Sequence, residues 1–228
     1  MKERKTIVIT GVSSGVGYAA AELFISRGYR VVGLSRTSKR LPEKVVHFCV
    51  DLSDATKTEE ICNEIITRYE KVDILINCAA VFESAPFAKQ SSKTITSMVN
   101  SNILSYLNTT RHLLPGMLAR KSGLIINISS VSGKSGIINQ ATYSATKHAL
   151  DGFASALSKE LHQTGVKITT LYPGGINTEL WNPSNPYHGD VGETMNPGDV
   201  AEIIKFVTQL PPNVIMKEMV FFPANEIH

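Results

Sequence analysis

Few features of this sequence would direct the protein to a membrane or to a nucleic acid. Its 228 residues carry a formal net charge of only +3, and no block of like charges stands out, so DNA and RNA are not expected partners. No apolar run is long enough to span a bilayer, and the first residues lead into a strand pattern rather than an apolar signal core. We therefore expect no nucleic-acid partner and no membrane partner.

Cysteine is also scarce. The three cysteines, Cys49, Cys62 and Cys78, leave one unpaired and lack metal-ligand spacing, so no metal site is expected. Cys49 and Cys78 fall in apolar strand-like runs, which predicts buried free thiols. This cysteine usage favours a reducing, cytoplasmic compartment.

Apolar β-branched segments alternate with helical patterns, without repeats or an interdomain linker. The expected strands are Thr6–Thr10, Arg30–Leu34, Val45–Val50, Asp73–Asn77, Leu124–Ser129, Lys167–Leu171 and Glu218–Phe222. The expected helices are Val16–Arg27, Ala55–Tyr69, Thr94–Leu118 (with a kink or stop at Pro115), Ala141–His162 and Pro197–Thr208. Strands that are apolar on both faces are typical of a parallel sheet covered on both sides. The chain is therefore predicted to form one α/β domain, residues 1–228, with a doubly wound parallel sheet of about seven strands.

A glycine-rich turn from Thr10 to Gly17 joins the first strand to the first helix. Glycines let the backbone approach a phosphate closely, and the helix N-terminus offers free N–H groups. The turn therefore predicts a dinucleotide site, with a plain tight turn as the alternative. Gly11-Val12-Ser13-Ser14-Gly15 also matches the G-x-S-x-G elbow of serine hydrolases, but that elbow would then lie on the first strand, without an oxyanion-hole loop before it.

The end of the second strand indicates which dinucleotide binds. An acidic residue there would bind the ribose 2′-hydroxyl of NAD, whereas an arginine suits the 2′-phosphate of NADP. The sequence has Ser35 and Arg36 at this point, followed by Lys39 and Arg40, and no acid before Glu43. A guanidinium can bind a phosphate through two parallel hydrogen bonds. We therefore expect NADP(H) to be preferred over NAD(H), with an ordinary solvated loop as the alternative.

Tyr143 and Lys147 lie four residues apart on an amphipathic helix. The apolar stripe Leu150, Ala154, Leu157 and Leu161, extended backwards, includes both of them, so the phenol and the amine share its buried face. Lysine is almost never fully buried without a partner, and its charge would lower the pKa of a nearby phenol. The pair is predicted to be a tuned proton donor. The alternative is a helix N-terminus with both side chains exposed.

The segment Glu179–Asn196 is unusually long for a loop in a compact domain, which is typical of a lid or a binding loop. It follows the sixth strand and therefore leaves the carboxyl edge of the sheet, where ligands bind in open α/β folds. Trp181 and Tyr187 from this segment, together with Ile137 and Ile138, are candidates for an apolar substrate pocket, with packing in the core or the lid as the equal alternative.

Taken together, the turn and the Tyr143/Lys147 pair resemble the TGxxxGxG and YxxxK motifs of the classical short-chain dehydrogenase/reductase family. The resemblance covers nearly the whole chain and implies a Rossmann-like fold. It implies four catalytic residues, which are Asn102, Ser130, Tyr143 and Lys147. Asn100 competes for the asparagine position, but the register with the downstream Leu114–Met117 favours Asn102.

The same resemblance implies a set of cofactor contacts. They are Gly11, Ser13, Ser14, Gly15, Val16, Gly17, Ser35, Arg36, Asp51, Leu52, Asn77, Ala79, Tyr143, Lys147, Pro173, Gly174, Ile176 and Thr178. Two segments depart from the family pattern. Its NNAG motif reads Asn77-Cys78-Ala79-Ala80 here, which brings the Cβ of Ala80 near the cofactor. The ending Met219–Ala224 lacks the glycine-rich form of the fatty-acid-synthesis ketoacyl reductases.

The function implied by the resemblance is hydride transfer between NADP(H) and a small-molecule carbonyl or alcohol, as in a carbonyl reductase. Tyr143 would exchange the proton, Lys147 would support it and bind the nicotinamide ribose, Ser130 would bind the substrate oxygen, and Asn102 would help hold a water. A homodimer or homotetramer is also implied. The alternatives are a dinucleotide-binding sensor without turnover and an epimerase or dehydratase on a related fold.

Overall fold

One parallel sheet forms the centre of the molecule, which a computed structural model describes over residues 4–181 and 191–225. Its strands are β1 (Thr6–Thr10), β2 (Arg30–Ser35), β3 (Val46–Cys49), β4 (Ile74–Asn77), β5 (Gly123–Ile128), β6 (Val166–Pro173) and β7 (Glu218–Phe221). They lie in the order β3-β2-β1-β4-β5-β6-β7, and neighbouring strands are parallel throughout. The predicted doubly wound α/β sheet is confirmed.

Helices cover both faces of the sheet. They are α1 (Gly15–Ser26), α2 (Ala55–Tyr69), α3 (Ser92–Val99), α4 (Ser105–Ala119), α5 (Ala141–Glu160) and α6 (Pro197–Thr208). Helices α1 and α6 pack on one face, and α2, α4 and α5 contribute to the core on the other. None of the helices within residues 4–181 and 191–225 is both long and apolar enough to cross a bilayer.

Successive side chains of β1 point alternately into the two hydrophobic cores, one on each face of the sheet. Ile7 and Ile9 point toward α1 and α6, whereas Val8 points toward the opposite layer. All three side chains are fully buried, because successive residues of a strand face opposite sides of a sheet that is covered twice. Each such burial contributes roughly 1.5–3 kcal/mol.

The predicted helix Thr94–Leu118 is divided in the structure. Helix α3 ends at Val99, a π-helical segment spans Asn100–Leu104, and α4 continues from Ser105. A π turn contains one extra residue and often occurs at a functional site. Its wider turn carries Asn102, which is fully buried.

Two local features differ from what was expected. Pro115 lies inside α4, which continues to Ala119, so the helix does not stop there; a kink at Pro115, the other expectation, stays a prediction. Cys49 is exposed rather than buried, because it lies on the edge strand β3, where the sheet is covered less completely. Its thiol donates a hydrogen bond to the carbonyl oxygen of Arg36.

The order of the strands determines where a ligand can bind. Strand β1 lies between β2 and β4, so the chain moves to one side of β1 first and to the other side later. Adjacent loops therefore diverge at the carboxyl ends of β1 and β4 and leave a crevice there.

The core packing yields a stability prediction. Phe24 of α1 is fully buried, whereas Phe87 is 62% exposed. Phe24→Ala is expected to lower the free energy of unfolding by about 3–5 kcal/mol, since it removes a ring and leaves a cavity. Phe87→Ala, the matched control, should cost less than about 1 kcal/mol. Urea denaturation measures both, and equal losses would contradict the assignment of Phe24 to the core.

Candidate active site

A cleft of about 690 Å³ opens at the carboxyl edge of the sheet. The segments that follow β1, β2, β4, β5 and β6 all contribute to its walls. Of the predicted residues, the cleft is lined by Gly11, Ser13, Ser14, Gly15, Val16, Ser35, Arg36, Asp51, Leu52, Ala79, Ser130, Tyr143, Lys147, Pro173, Gly174, Ile176 and Thr178. Residues from distant parts of the sequence therefore meet in one cavity.

The glycine-rich turn forms one end of the cleft and needs its glycines. Gly11 and Gly15 have φ angles of +75° and +52°, in the left-handed region that favours glycine. A Cβ on Gly11 would lie 2.9 Å from the Cα of Ala79, and one on Gly15 would lie 3.2 Å from Cγ2 of Thr178. The turn thus leads into the N-terminus of α1, where free backbone N–H groups suit a pyrophosphate.

Gly17 and Asn77, two of the predicted cofactor contacts, do not line the cleft. A Cβ on Gly17 would lie 2.3 Å from the carbonyl oxygen of Gly11, so this glycine allows α1 to pack against the turn. Asn77 is fully buried and its amide donates to Thr110 (3.1 Å) and to Asn127 (3.0 Å). Both residues support the cleft from behind.

The end of β2 places a positively charged side chain in the wall of the cleft. Arg36 is exposed there, and no residue in the described ranges forms a hydrogen bond or ion pair with its guanidinium. The neighbouring Ser35 hydroxyl donates to the carbonyl of Thr37 (2.8 Å) and is 2.8 Å from Nε2 of His47. Because the hydrogen bonds of Ser35 restrain the turn after β2, the guanidinium of Arg36 is suited to bind an anionic group.

Arg40 is engaged elsewhere. Its guanidinium lies 4.8 Å from the ring centroid of Tyr18 and 3.2 Å from a carboxylate oxygen of Glu179. The ion pair is largely exposed and contributes little stability. It nevertheless connects the loop after β2 with the loop after β6, across the mouth of the cleft.

The phenol and the amine of the YxxxK pair are both buried. Tyr143 is 8% exposed and Lys147 is 1% exposed, so the alternative of an exposed helix N-terminus was wrong. Lys147 Nζ donates to the carbonyl of Ile128 (3.0 Å) and lies 5.6 Å from the Tyr143 ring centroid. The Tyr143 hydroxyl forms a hydrogen bond with Ser130. Three polar groups thus converge where β5 ends.

Burial dominates the electrostatics of this group. It raises the pKa of the Tyr143 phenol, against the opposing effect of the hydrogen bond with Ser130. Burial also lowers the pKa of Lys147 to about 8. The direction of the Tyr143 shift is opposite to the lowering of its pKa expected from Lys147, because desolvation disfavours the phenolate more strongly than the hydrogen bond with Ser130 favours it. At neutral pH the phenol keeps its proton.

Asn102 does not reach the cleft surface. Its side chain accepts from the backbone N–H of Val81 (2.8 Å), donates to the Val81 carbonyl (2.9 Å) and donates to Thr146 (3.1 Å). The amide therefore ties the segment after β4 to α5, one residue before Lys147. This explains how a poor helix former is accommodated in the π-helical segment.

The segment after β6 closes the far wall. The backbone N–H of Gly174 donates to Phe221 (2.8 Å), and Ile176 pairs with Met195 in an isolated parallel bridge. The Trp181 indole donates to the Ile176 carbonyl (2.8 Å). The predicted lid is only partly described, since residues 182–190, including Tyr187, lie outside the described ranges.

Sequence reasoning missed several residues of the cleft, including Cys78, Phe82, Ser132 and Gln140. Burial raises the pKa of the Cys78 thiol to about 12, although a backbone hydrogen bond with Gly17 opposes this. The thiol is therefore expected to stay protonated and to line the cleft without acting as a nucleophile. Phe82 packs edge-on against Tyr143 and Trp181. Cys78 lies between the predicted contacts Asn77 and Ala79, and Gln140 lies three residues before Tyr143, so their closeness in sequence to predicted site residues could have indicated both. No such signal marks Phe82, which only the fold brings to the cavity.

The family to which this chain belongs follows from a comparison of its sequence with known protein families. The family described as short chain dehydrogenase matches residues 5–188. The chain belongs to this family. It is accordingly an NAD(P)-dependent oxidoreductase that acts on alcohol or carbonyl groups of small molecules, and the described cradle of Gly11, Gly15 and the N-terminus of α1 fits a dinucleotide.

Relatives in sequence and in structure cover nearly all of this short-chain dehydrogenase. An uncharacterised oxidoreductase of Staphylococcus saprophyticus is 31% identical and covers 96% of this chain and 97% of its own length. Serine 3-dehydrogenase of Agrobacterium fabrum is 29% identical, with 97% and 94% covered. Among solved structures, the closed form of a serine dehydrogenase complexed with NADP⁺ has a TM-score of 0.89 at 27% identity and covers 98% of this chain and 96% of that one.

The burial of Lys147 yields a prediction of pH dependence. Because the pKa of Lys147 is lowered from 10.5 to about 8, the folded protein loses this proton at a lower pH than the unfolded chain does. The unfolded state binds more protons between about pH 8 and pH 10, so the contribution of Lys147 to stability rises with pH in this window and is constant below it. Urea denaturation of the cofactor-free protein and of Lys147→Met should show this change in their difference. Equal differences at pH 7 and pH 9.5 would contradict the lowered pKa.

Proposed function

We propose that this protein reduces carbonyl compounds with NADPH, or oxidises the corresponding alcohols with NADP⁺, and that Tyr143 exchanges the proton. The observation that carries the proposal is the buried cluster of Tyr143, Ser130 and Lys147 in the same cleft as the glycine cradle. A phenol enclosed next to a phosphate-binding turn suits hydride transfer coupled to proton transfer.

The proton stays on Tyr143 Oη until a substrate oxygen accepts it. Because burial raises the phenol pKa, the group is protonated at neutral pH and acts as the acid in the reducing direction. Ser130, whose side chain also accepts from the backbone N–H of Ser132 (3.1 Å), contacts the same substrate oxygen. When bound, the nicotinamide supplies or accepts the hydride.

Lys147 assists the proton exchange of Tyr143 in two ways. Its amine is anchored on the Ile128 carbonyl and would bind the nicotinamide ribose hydroxyls, while its positive charge would stabilise the phenolate as it forms. Asn102 acts as a positioning residue, since its amide is committed to Val81 and Thr146. The water-holding role implied by the family resemblance stays a prediction.

Arg36 supports a preference for NADP(H). Its exposed guanidinium follows β2, where the 2′ position of the adenine ribose is recognised in dinucleotide-binding folds. The described serine dehydrogenase complexed with NADP⁺ is a relative with this cofactor, whereas a 4-hydroxyisoleucine dehydrogenase complexed with NADH, at 23% identity, shares only the fold. The homodimer or homotetramer and the cytoplasmic setting stay predictions.

A sensor that binds a dinucleotide without turnover is the weaker candidate. Such a protein has no need of a buried phenol bonded to a serine, and burying Lys147 is energetically unfavourable. We therefore favour the enzyme, and following NADPH absorbance with a panel of ketones and aldehydes tests the choice.

Tyr143→Phe is expected to reduce turnover by at least about 100-fold, since general acid–base assistance contributes about 10²–10⁴-fold, while NADPH affinity changes little. Tyr106→Phe is the matched control, because this buried tyrosine donates to Ile128 (2.9 Å) beside the same lysine but does not line the cleft. The control should retain turnover. Steady-state kinetics and NADPH fluorescence titration measure both, and an active Tyr143→Phe variant would refute the assignment.

Arg36→Asp is expected to shift the ratio of kcat/KM values for NADPH and NADH toward NADH by roughly 10–100-fold, the range for losing a charge-assisted hydrogen bond. Arg40→Asp changes the net charge equally but removes a guanidinium held by Tyr18 and Glu179, so its shift should be smaller. Equal shifts in the two variants would indicate a general field rather than a specific contact.

A further inference from the structure

Gln140 has an amide group that the fold does not use fully. The residue precedes α5 at its N-cap position, is only 6% exposed and lines the cleft. Its Oε1 accepts from the hydroxyl of Ser132 (2.9 Å), its backbone N–H donates to Ile137 (3.1 Å), and its carbonyl accepts from Ser144 (2.7 Å). Across residues 4–181 and 191–225, no hydrogen bond uses its Nε2.

The amide nitrogen does not belong to the fully buried side-chain atoms that lack a partner, so it keeps access to the cleft that Gln140 lines. Polar groups placed in the wall of a largely apolar pocket fix the orientation of a ligand. Because the Ser132 hydroxyl holds the oxygen of the amide, the nitrogen is the atom left for the cleft. This donor is therefore suited to a ligand.

The position of Gln140 connects it to the proposed proton donor. Tyr143 is hydrogen-bonded to Ser130, the Ser130 side chain accepts from the backbone of Ser132, and the Ser132 side chain donates to Gln140. Gln140, the N-cap residue of α5, also lies about one helical turn before Tyr143. The free amide and the phenol therefore belong to the same wall of the cavity.

The rest of this end of the cavity is mostly apolar. The Phe82 ring lies 4.7 Å from the Tyr143 ring and 4.9 Å from the Trp181 ring, in edge-to-face contacts. Ile137, Ile138 and Leu180 also line it, and Ile138 is 80% exposed at the rim. Such a surface favours an aliphatic or aromatic substituent.

The cavity does not offer a surface cation for a carboxylate substrate. In the described part of the chain, its lining contains only two lysine or arginine residues, Arg36 and Lys147. Arg36 follows β2, three strand positions from β5, a lateral separation of about 14 Å, and Lys147 is buried on Ile128. Residues 182–190 contain no lysine or arginine in their sequence. A free amino acid would therefore lack its usual ionic partner.

We propose that Gln140 is a specificity-determining residue that donates a hydrogen bond from Nε2 to a second, uncharged oxygen beside the reacting carbonyl. The substrate class is an apolar or aromatic ketone or aldehyde with an adjacent keto, ester or amide oxygen. This inference rests on the proposed function and extends it, since it names the substrate and excludes L-serine, the substrate that the names of two relatives suggest.

The test compares two ketones that differ in the second oxygen, 1-phenyl-1,2-propanedione and propiophenone. The ratio of their kcat/KM values with NADPH is measured for wild type, Gln140→Met and Gln140→Ala. Each variant should lower this ratio by roughly 3–12-fold, the range that one neutral hydrogen bond supplies. The ratio cancels a general loss of activity, which a merely structural role of Gln140 would cause for both ketones.

Gln90→Met is the matched control. Gln90 is a second glutamine that anchors the start of α5, since its Oε1 accepts from Thr142 (2.5 Å) and its Nε2 donates to Ala85, but it does not line the cleft. Its substitution should leave the ratio of the two ketones unchanged. NADPH titration of each variant checks that the protein is folded.

The outcomes separate the inference from the proposed function. A lowered ratio in the Gln140 variants, unchanged in Gln90→Met, supports the inference. Turnover of both ketones with an unchanged ratio, or an equal change in Gln90→Met, overturns it alone. Oxidation of L-serine with NADP⁺ at an efficiency comparable to dione reduction also overturns it. If wild type reduces neither ketone nor any other carbonyl, the proposed function fails and the inference with it.

Discussion

A lysine ammonium buried beneath the sheet edge is the constraint on which the site depends. Lys147 is nearly inaccessible, and its anchor is the carbonyl of Ile128 at the end of β5. A buried charge without a partner is costly, so this bond ties α5 to β5 in one register. The same register carries Tyr143 and Ser130 to the mouth of the cleft. The energetic cost of burying the amine thus coincides with the geometry that the proposed chemistry needs.

Near Lys147, buried polar side chains that lie outside the cleft form hydrogen bonds between the elements that make up its walls. Asn102 ties the segment after β4 to α5, and Asn77 joins β4 to β5 and α4. Neither reaches the cleft, yet both restrain elements that do. Functional precision requires such support, because a side chain that is free to rotate cannot hold a reacting group within a fraction of an ångström.

Much of the fold was predictable because parallel strands covered on both faces leave a strong pattern of apolar segments. The course of the chain between Thr94 and Leu118 was less so. The π-helical segment Asn100–Leu104 and the passage of α4 through Pro115 depend on packing and not on local propensity. The exposure of Cys49 likewise follows from the position of β3 at the edge of the sheet, which the apolar character of its segment does not reveal.

The sequence by itself determined the α/β class, the glycine turn and the identity of the YxxxK pair, because these depend on periodicity and on local backbone requirements. Only the tertiary structure decided that burial would outweigh the hydrogen bond with Ser130 and raise the Tyr143 pKa, since desolvation depends on every element packed around a group. It also decided which side chains from distant segments face the cavity. Phe82 belongs to it because strand order brings the loops together, and no spacing along the chain encodes that meeting.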